Sequence, residues 1–384
     1  MLRFALSPTA DIDINDLKIA LLTYNAAKKR NEEFIVRIED LGQQQNISGN
    51  DQEALEILAL FKIEYSQLIY QSKNIRFYSA MALQLLHEKK AFNCFCSNEW
   101  IAKKQQEAKE VGKPYMYDDA CANLPAELVI DNENPFVVRI HKPDNNKTDS
   151  FIILHQEKTP THDFASAVDD MLSDISLVIT TDENKYNCEK QEYIRKQLGY
   201  DKKIEYSYVP KIQSEAPVSI KSLLELGILP EAIQNYLVSI EDAQSFDLEK
   251  LQEINRQVLS NLSNKELSRY VGFADDDIGA LAKLYLKDVT TTKELKSKIK
   301  PIFEPREIPN ELQKDYTALK DAIEGAPYFE SYDAFVAMLM EKTNLSEDQL
   351  QKPLQIFLAN TQDTPELAQV YQHLKNYLGE LVKC

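Results

Sequence analysis

The chain opens with a short apolar run, Leu2 to Ala5, broken by Ser7-Pro8-Thr9-Ala10. Leu17, Ala20, Leu21, Tyr24 and Ala27 then recur at helical spacing, and Phe34 to Ile38 is apolar except for Arg37. This pattern predicts strand, loop, helix, strand: the βαβ opening of a parallel sheet. Ligands in such sheets sit beyond the carboxyl ends of the strands, which places Ser7 to Asp16 and Glu39 to Leu41 beside any site.

Downstream, an amphipathic helix is predicted around Leu55, Ile57, Leu58, Leu60 and Phe61, followed by a turn at Ile69 to Ser72. Residues 73 to 112 read as helical, with Cys94-Phe95-Cys96 between helices. Phe136 to Ile140, Phe151 to Leu154 and Ile204 to Val209 read as strands, and Cys188 to Leu198 as a helix. From residue 219 onward the pattern is helical throughout, with Gly227 placed as a helix C′ glycine and Pro230 at the start of the next helix. Residues 305 to 312, with Pro305 and Pro309, read as a linker.

Composition narrows this picture. The chain has 384 residues, which suits several domains, and its formal charge of −17 argues against general affinity for DNA or anionic membrane. Nine glycines are few for a protein that cradles phosphates with backbone amides. No apolar run approaches membrane-spanning length, and five cysteines, an odd number, fit a reducing cytoplasm.

Three stretches carry a family resemblance. Arg3-Phe4-Ala5-Leu6-Ser7-Pro8-Thr9-Ala10, Arg37-Ile38-Glu39-Asp40, and Thr159-Pro160-Thr161-His162-Asp163-Phe164-Ala165 resemble bacterial glutamyl-tRNA synthetase. The family pattern is R-F-A-P-S-P-T-G-x-x-H-I-G-N, then R-I-E-D, then P-T-Y-N-F-A. Weaker likeness continues through Phe246 to Leu251 with Asn255, and through Lys352-Pro353-Leu354. The resemblance implies a Rossmann-type α/β domain at 1–72 and 156–218 and a connective insertion at 73–155. It also implies an all-α stem-contact domain at 219–304 and an anticodon-binding-like bundle at 305–384.

The departures fall where the family's chemistry lies. The signature H-I-G-N stands as Asp13-Ile14-Asn15-Asp16, the K-M-S-K-R loop is missing after Pro210, and R-G-E-D-H appears as Thr180-Thr181-Asp182-Glu183-Asn184. Carboxylates repel polyphosphate, and several cationic contributions are gone. Lys18 and Lys211 are the lysines that could replace them. By resemblance Arg3, Ser7, Glu39, His162 and Thr180 fall at amino-acid-contacting positions. Arg3, Ser7 and Glu39 are intact, the pocket Tyr is His162 and the Arg is Thr180. Arg3, Ser7 and Glu39 could equally hold the loop by internal hydrogen bonds.

Cys94, Cys96 and Cys121 resemble the zinc knuckle of some members, but Asn123 stands where those place a His, so a metal-free cluster is expected and no zinc. Lys296, Lys298 and Lys300 form a basic cluster suited to an RNA phosphate run. These readings together predict a synthetase-like protein with impaired or lost ATP-dependent activation, a binding or regulatory module. Its expected partners are tRNA, through the helical half, and a true synthetase or that enzyme's partners. The alternatives are an active glutamate–tRNA ligase, which would need ATP and Mg, and the paralogue that glutamylates queuosine in tRNA.

Overall fold

A computed structural model describes residues 1–42, 44–143, 148–240, 245–361 and 364–384. The chain divides into two compact units, one from Met1 to Ile220 and the other comprising most of Lys221 to Cys384.

The first unit is built on five parallel strands. β1 (Leu2–Leu6), β2 (Phe34–Ile38) and β3 (Gln67–Tyr70) are joined by β7 (Leu177–Thr181) and β8 (Glu205–Val209) in the order β3-β2-β1-β7-β8. β1 is therefore central, with Leu2 opposite Phe34 on one side and Leu177 on the other. The run read as a turn at Ile69 is in fact the end of β3, paired with Arg37 and Ile38 of β2; backbone pairing to a distant strand overrides its weak local pattern. The helices of this unit are α1 (Ile14–Arg30), α2 (Asn50–Leu60), α3 (Ile75–His87), α4 (Asn98–Glu110), α5 (Ala126–Ile130), α6 (His162–Leu172) and α7 (Lys185–Gln197).

A second, antiparallel sheet holds β4 (Ala91–Cys94), β5 (Val137–Ile140) and β6 (Ile152–Leu154) in chain order. β4 corrects the helical reading of 73–112. Its Ala91, Phe92 and Cys94 are buried, and it is defined by pairing with β5 more than forty positions on, a contact no local window can report. Tyr78, Leu85, Ile140, Ile153, Phe164 and Ile194 belong to one apolar cluster, so this sheet, α3, α6 and α7 share a core.

The second unit is helical among its described residues. Gly227 lies at φ +88°, and a Cβ there would come within 2.6 Å of the Lys293 amide, so the close approach of two segments requires glycine. Pro230 opens the next helix. The fully buried Asn255 accepts a hydrogen bond from the Leu229 amide at 2.8 Å and donates to the Gly227 and Thr290 carbonyls, closing three backbone groups with one side chain.

Candidate functional site

A cavity of about 390 Å³ opens at the carboxyl ends of β1, β2 and β7. Its lining brings together Arg3, Ser7, Glu39, His162 and Thr180, five positions separated by up to 177 residues, and adds Asp16 from the signature stretch.

The floor of this cavity is a chain of charges. Arg3 donates Nε and Nη2 to the two oxygens of Asp170 at 3.0 and 3.2 Å. Arg37 donates Nη1 to Asp170 at 2.6 Å and Nη2 to Glu39 at 2.8 Å and to Ser166. Glu39 receives His162 Nε2 at 2.9 Å, and His162 Nδ1 lies 3.7 Å from Asp163. Arg3 stands opposite Ile35 and Arg37 opposite Ala5, so strand alternation puts the two arginines diagonally on one face, and α6 delivers His162, Ser166 and Asp170 on one face at i, i+4, i+8. Burial alone would raise both carboxyls, but Arg37 and then His162 hold Glu39, and Arg3 and then Arg37 hold Asp170, below the usual range. The hydrogen bonds to Asp163 and Glu39 push His162 up to about 10, so its imidazole is cationic at neutral pH.

Sequence reading named Arg3 and Glu39 but not Arg37 or Asp170, which join them. An Arg inside an apolar strand run and an Asp pair inside a helix were the available signals. The neighbouring Asp169 faces elsewhere: Gln71, Asn74 and Tyr78 donate to it at 2.9–3.0 Å, tying α6 to the end of β3 and to α3, and its burial raises its carboxyl pKa.

The signature stretch is organised locally. Asp13 is the N-cap of α1; its Oδ1 accepts the Asn15 and Asp16 amides at 2.7 and 2.9 Å, while Asp16 accepts the Asp13 amide at 3.0 Å. This reciprocal capping box engages three of the polar hydrogens that would otherwise point out of the helix. Burial, then the Asp13 charge, push the Asp16 carboxyl up to about 6. The segment after β8 closes over the same residues. Asn15 exchanges two hydrogen bonds with the Ile212 backbone, Ile14 donates to Val218, and Ile220 donates to Ile12. Lys18 Nζ donates to the Pro210 carbonyl and Lys211 pairs with Glu183 at 3.3 Å. Asn184 donates to the hydroxyls of Thr180 and Thr181.

Away from the cavity, the sulfurs of Cys94, Cys96 and Cys121 lie within 4.8 Å of one another. The Tyr117 hydroxyl is 3.3 Å from Cys94 and 3.6 Å from Cys96. Burial pushes the Cys94 thiol up, but the Tyr117 and Arg139 hydrogen bonds outweigh it and leave Cys94 below its usual value. The three thiols are one short of the four ligands of a structural zinc site, and burial and the neighbouring thiols push the Tyr117 phenol up, so it stays protonated and is a poor fourth ligand. The sequence reading placed the fourth position at Asn123 and did not weigh Tyr117.

In the helical unit Lys296 and Lys300 are exposed, and Lys300 pairs with Glu304 at 3.0 Å. Arg306 donates to the carbonyls of Ile302, Ile356, Phe357 and Leu381. It is a structural tie within the unit. Among the described residues no helix is long and apolar enough to cross a membrane.

Comparison with known proteins bears on this arrangement. Residues 1–258 match the family model of the catalytic domain of class I tRNA synthetases (E and Q). Glutamate–tRNA ligase 2 of Sulfurimonas denitrificans is 46% identical, and glutamate–tRNA ligase 1 of Nitratiruptor sp. and of Campylobacter jejuni are 38% and 37% identical, each over 100% of both chains. Those alignments run over 432 positions, so this chain of 384 residues has gaps at about 48 of them. A crystal structure of a glutamate tRNA ligase from Elizabethkingia meningosepticum, in complex with its amino acid, shares the fold at a TM-score of 0.77. It has 19% identity and covers 99% of this chain and 98% of that one. The chain belongs to the glutamate–tRNA ligase family of class I tRNA synthetases.

Proposed function

We propose that this chain is a pseudo-synthetase: a glutamate–tRNA ligase-family protein with impaired or lost ATP-dependent activation of glutamate, acting as a binding module for tRNA or for a protein of the translation machinery. The observation that carries this reading is the self-capped start of α1. A helix N-terminus binds phosphate through free amides and its positive dipole end. Here Asp13 occupies those amides, Asp16 adds a second carboxylate, and the 212–220 segment is hydrogen-bonded over residues 12–15. Lys18 and Lys211, the two replacement cations, are engaged by a carbonyl and a carboxylate. Family membership supports tRNA as a ligand, and by resemblance it would use the stem-contact region 219–304 and the bundle 305–384, with Lys296, Lys298 and Lys300 on the phosphate backbone.

Two measurements test this. Pyrophosphate exchange with glutamate and ATP, with and without tRNA, is expected to stay at background, and ATP with magnesium at millimolar concentration is expected to leave Tm unchanged. A concentration-dependent rise in Tm would refute a dead nucleotide site. Gel shift with total tRNA at low salt is expected to show binding that weakens steeply with salt, by a log–log slope of roughly −0.7 to −0.9 per phosphate contact. Changing Lys296, Lys298 and Lys300 together to Glu should abolish the shift; an unchanged shift removes that surface from the reading.

A further inference from the structure

A groove of about 620 Å³ lies within the helical unit, where the helices Tyr332–Thr343, Glu347–Ala359 and Leu367–Leu374 begin. Part of its lining is apolar: Val336, Leu354 and Pro365 are buried there, and the half-buried Tyr332 is braced by Tyr371, ring to ring at 5.7 Å. The rest is acidic. Asp333, Glu347, Asp348 and Glu366 are exposed in the groove, and among the described residues its lining holds no lysine, arginine or histidine.

Carboxylates at helix starts have an ordinary use, which here does not account for all four. Asp333, Glu347 and Asp348 stand in first turns and Glu366 is an N-cap. Each helix start carries roughly half a positive charge, so three starts leave about two of the four carboxylates uncompensated. The unit makes ion pairs at other places, Lys300 with Glu304 and Lys375 with Glu330, and among the described residues none of the four meets a lysine or arginine. Burial, then the Glu347 and Asp333 charges, push the Tyr332 phenol up. Nor do the carboxylates converge on one point: among the described residues only the three cysteines bring ligand atoms close enough together for a metal ion. Such a groove suits positive charge spread along a length and set beside apolar surface, and it repels phosphate.

We propose that this groove docks a basic amphipathic segment of a partner protein. Apolar side chains of the segment pack on Val336 and Leu354. Its lysines or arginines lay their methylene stems along Pro365 and the Tyr332 ring and reach the four carboxylates with their charged heads. The inference rests on the reading of the chain as a binding module and gives that module its protein partner, leaving tRNA to the Lys296, Lys298 and Lys300 surface.

The chain's formal charge of −17 attracts any polycation, so the test compares two charge-matched variants of the full chain. The probe is a labelled peptide of about eighteen residues, leucine at helical spacing and lysine between, followed by fluorescence anisotropy at about 0.1 M salt. Asp333→Asn, Glu347→Gln, Asp348→Asn and Glu366→Gln together, with folding verified by Tm, should weaken binding at least about tenfold. Glu249→Gln, Glu307→Gln, Glu311→Gln and Glu341→Gln together, all exposed and outside the groove, should weaken it no more than about twofold. On the unmodified chain, the same peptide with serine in place of leucine should also lose at least about tenfold, a comparison that stands whether or not the groove variant folds. Equal losses in the two variants, equal binding of the serine and leucine peptides, or no binding overturns the proposal. So does a tRNA gel shift that weakens in the groove variant, which would put RNA in the groove instead. Pyrophosphate exchange reads the other reading separately: activity there refutes the pseudo-synthetase and leaves the groove to be judged on its own titrations.

Discussion

The floor of the main cavity and the start of α1 lie at the same end of one sheet, yet they satisfy their charges over different distances. In the floor, Arg3 meets Asp170 and Arg37 meets both Asp170 and Glu39, so two strands and a helix must be in place before any of these groups is paired. At the start of α1, Asp13, Asn15 and Asp16 pair within three residues, and only Asn15 reaches farther. The first arrangement makes each charge depend on tertiary structure; the second is a local helix cap. In the function proposed above, local structure takes the place of ligand-directed chemistry at α1, while the charged floor ties the fold together.

The largest effect that separates the two regions is expected from Arg37→Met, which leaves Glu39 to His162 and Ser166 and Asp170 to Arg3 alone in a buried setting. Urea unfolding should show a loss of about 3–5 kcal/mol. A loss under about 1 kcal/mol would mean that the floor is as locally satisfied as the cap.

Asp16→Asn sharpens the contrast from the other side. Its folded pKa, about 6, lies above the ordinary carboxyl value of 3.8, so the native state binds more protons between those two pH values and stability falls as pH rises through them. Removing the charge while keeping an acceptor for the Asp13 amide should stabilise the protein by the order of 1 kcal/mol at pH 7 and leave it unchanged near pH 3. Tm against pH for both proteins reads this directly, and a variant less stable at pH 7 contradicts it.

Asp13→Ala should cost about 1 kcal/mol, the usual worth of an N-cap, with Asp13→Ser close to neutral. A cost near that of Arg37→Met would show that the cap is part of the tertiary network.

The smallest effect is expected at His162, whose imidazole is half exposed. Its folded pKa, about 10, is raised above 6.5, so its contribution is fully present below pH 6.5 and is lost as pH rises toward 10. His162→Gln should flatten the alkaline limb of the stability profile and leave the value at pH 10 almost unchanged; equal destabilisation at every pH would assign His162 a packing role.

What could be read from the sequence follows the same division. The sheet strands Leu2–Leu6 and Phe34–Ile38 and the helix between them were legible because apolar spacing and turn residues are local signals. Asp13 as a cap was in principle legible too, since Asp followed three residues later by Asp precedes an apolar periodicity; the family signature drew attention to the lost histidine instead. β3 and β4 were missed because four-residue strands are specified by their partners. The positions around the cavity came from resemblance, and nothing in the local pattern said that Arg3 is held by Asp170 or that Tyr117 reaches the three cysteines. Arg306 lies in the stretch read as a linker, and only the folded unit supplies the four carbonyls that hold it.

The central position of β1 also sets an order of assembly during synthesis. β1 pairs with β2, made about thirty residues later, but its other edge stays open until β7 arrives about 175 residues on, and Asn15 finds Ile212 only after β8. The nascent sheet must therefore carry an unpaired central edge through most of its own translation, a period in which chaperone binding or misassociation competes with folding. Stalled chains ending near residue 170 are accordingly expected to be cut rapidly by protease, and chains extended past residue 220 to resist it. Equal sensitivity at the two lengths would place the commitment to fold later than the closing of this sheet.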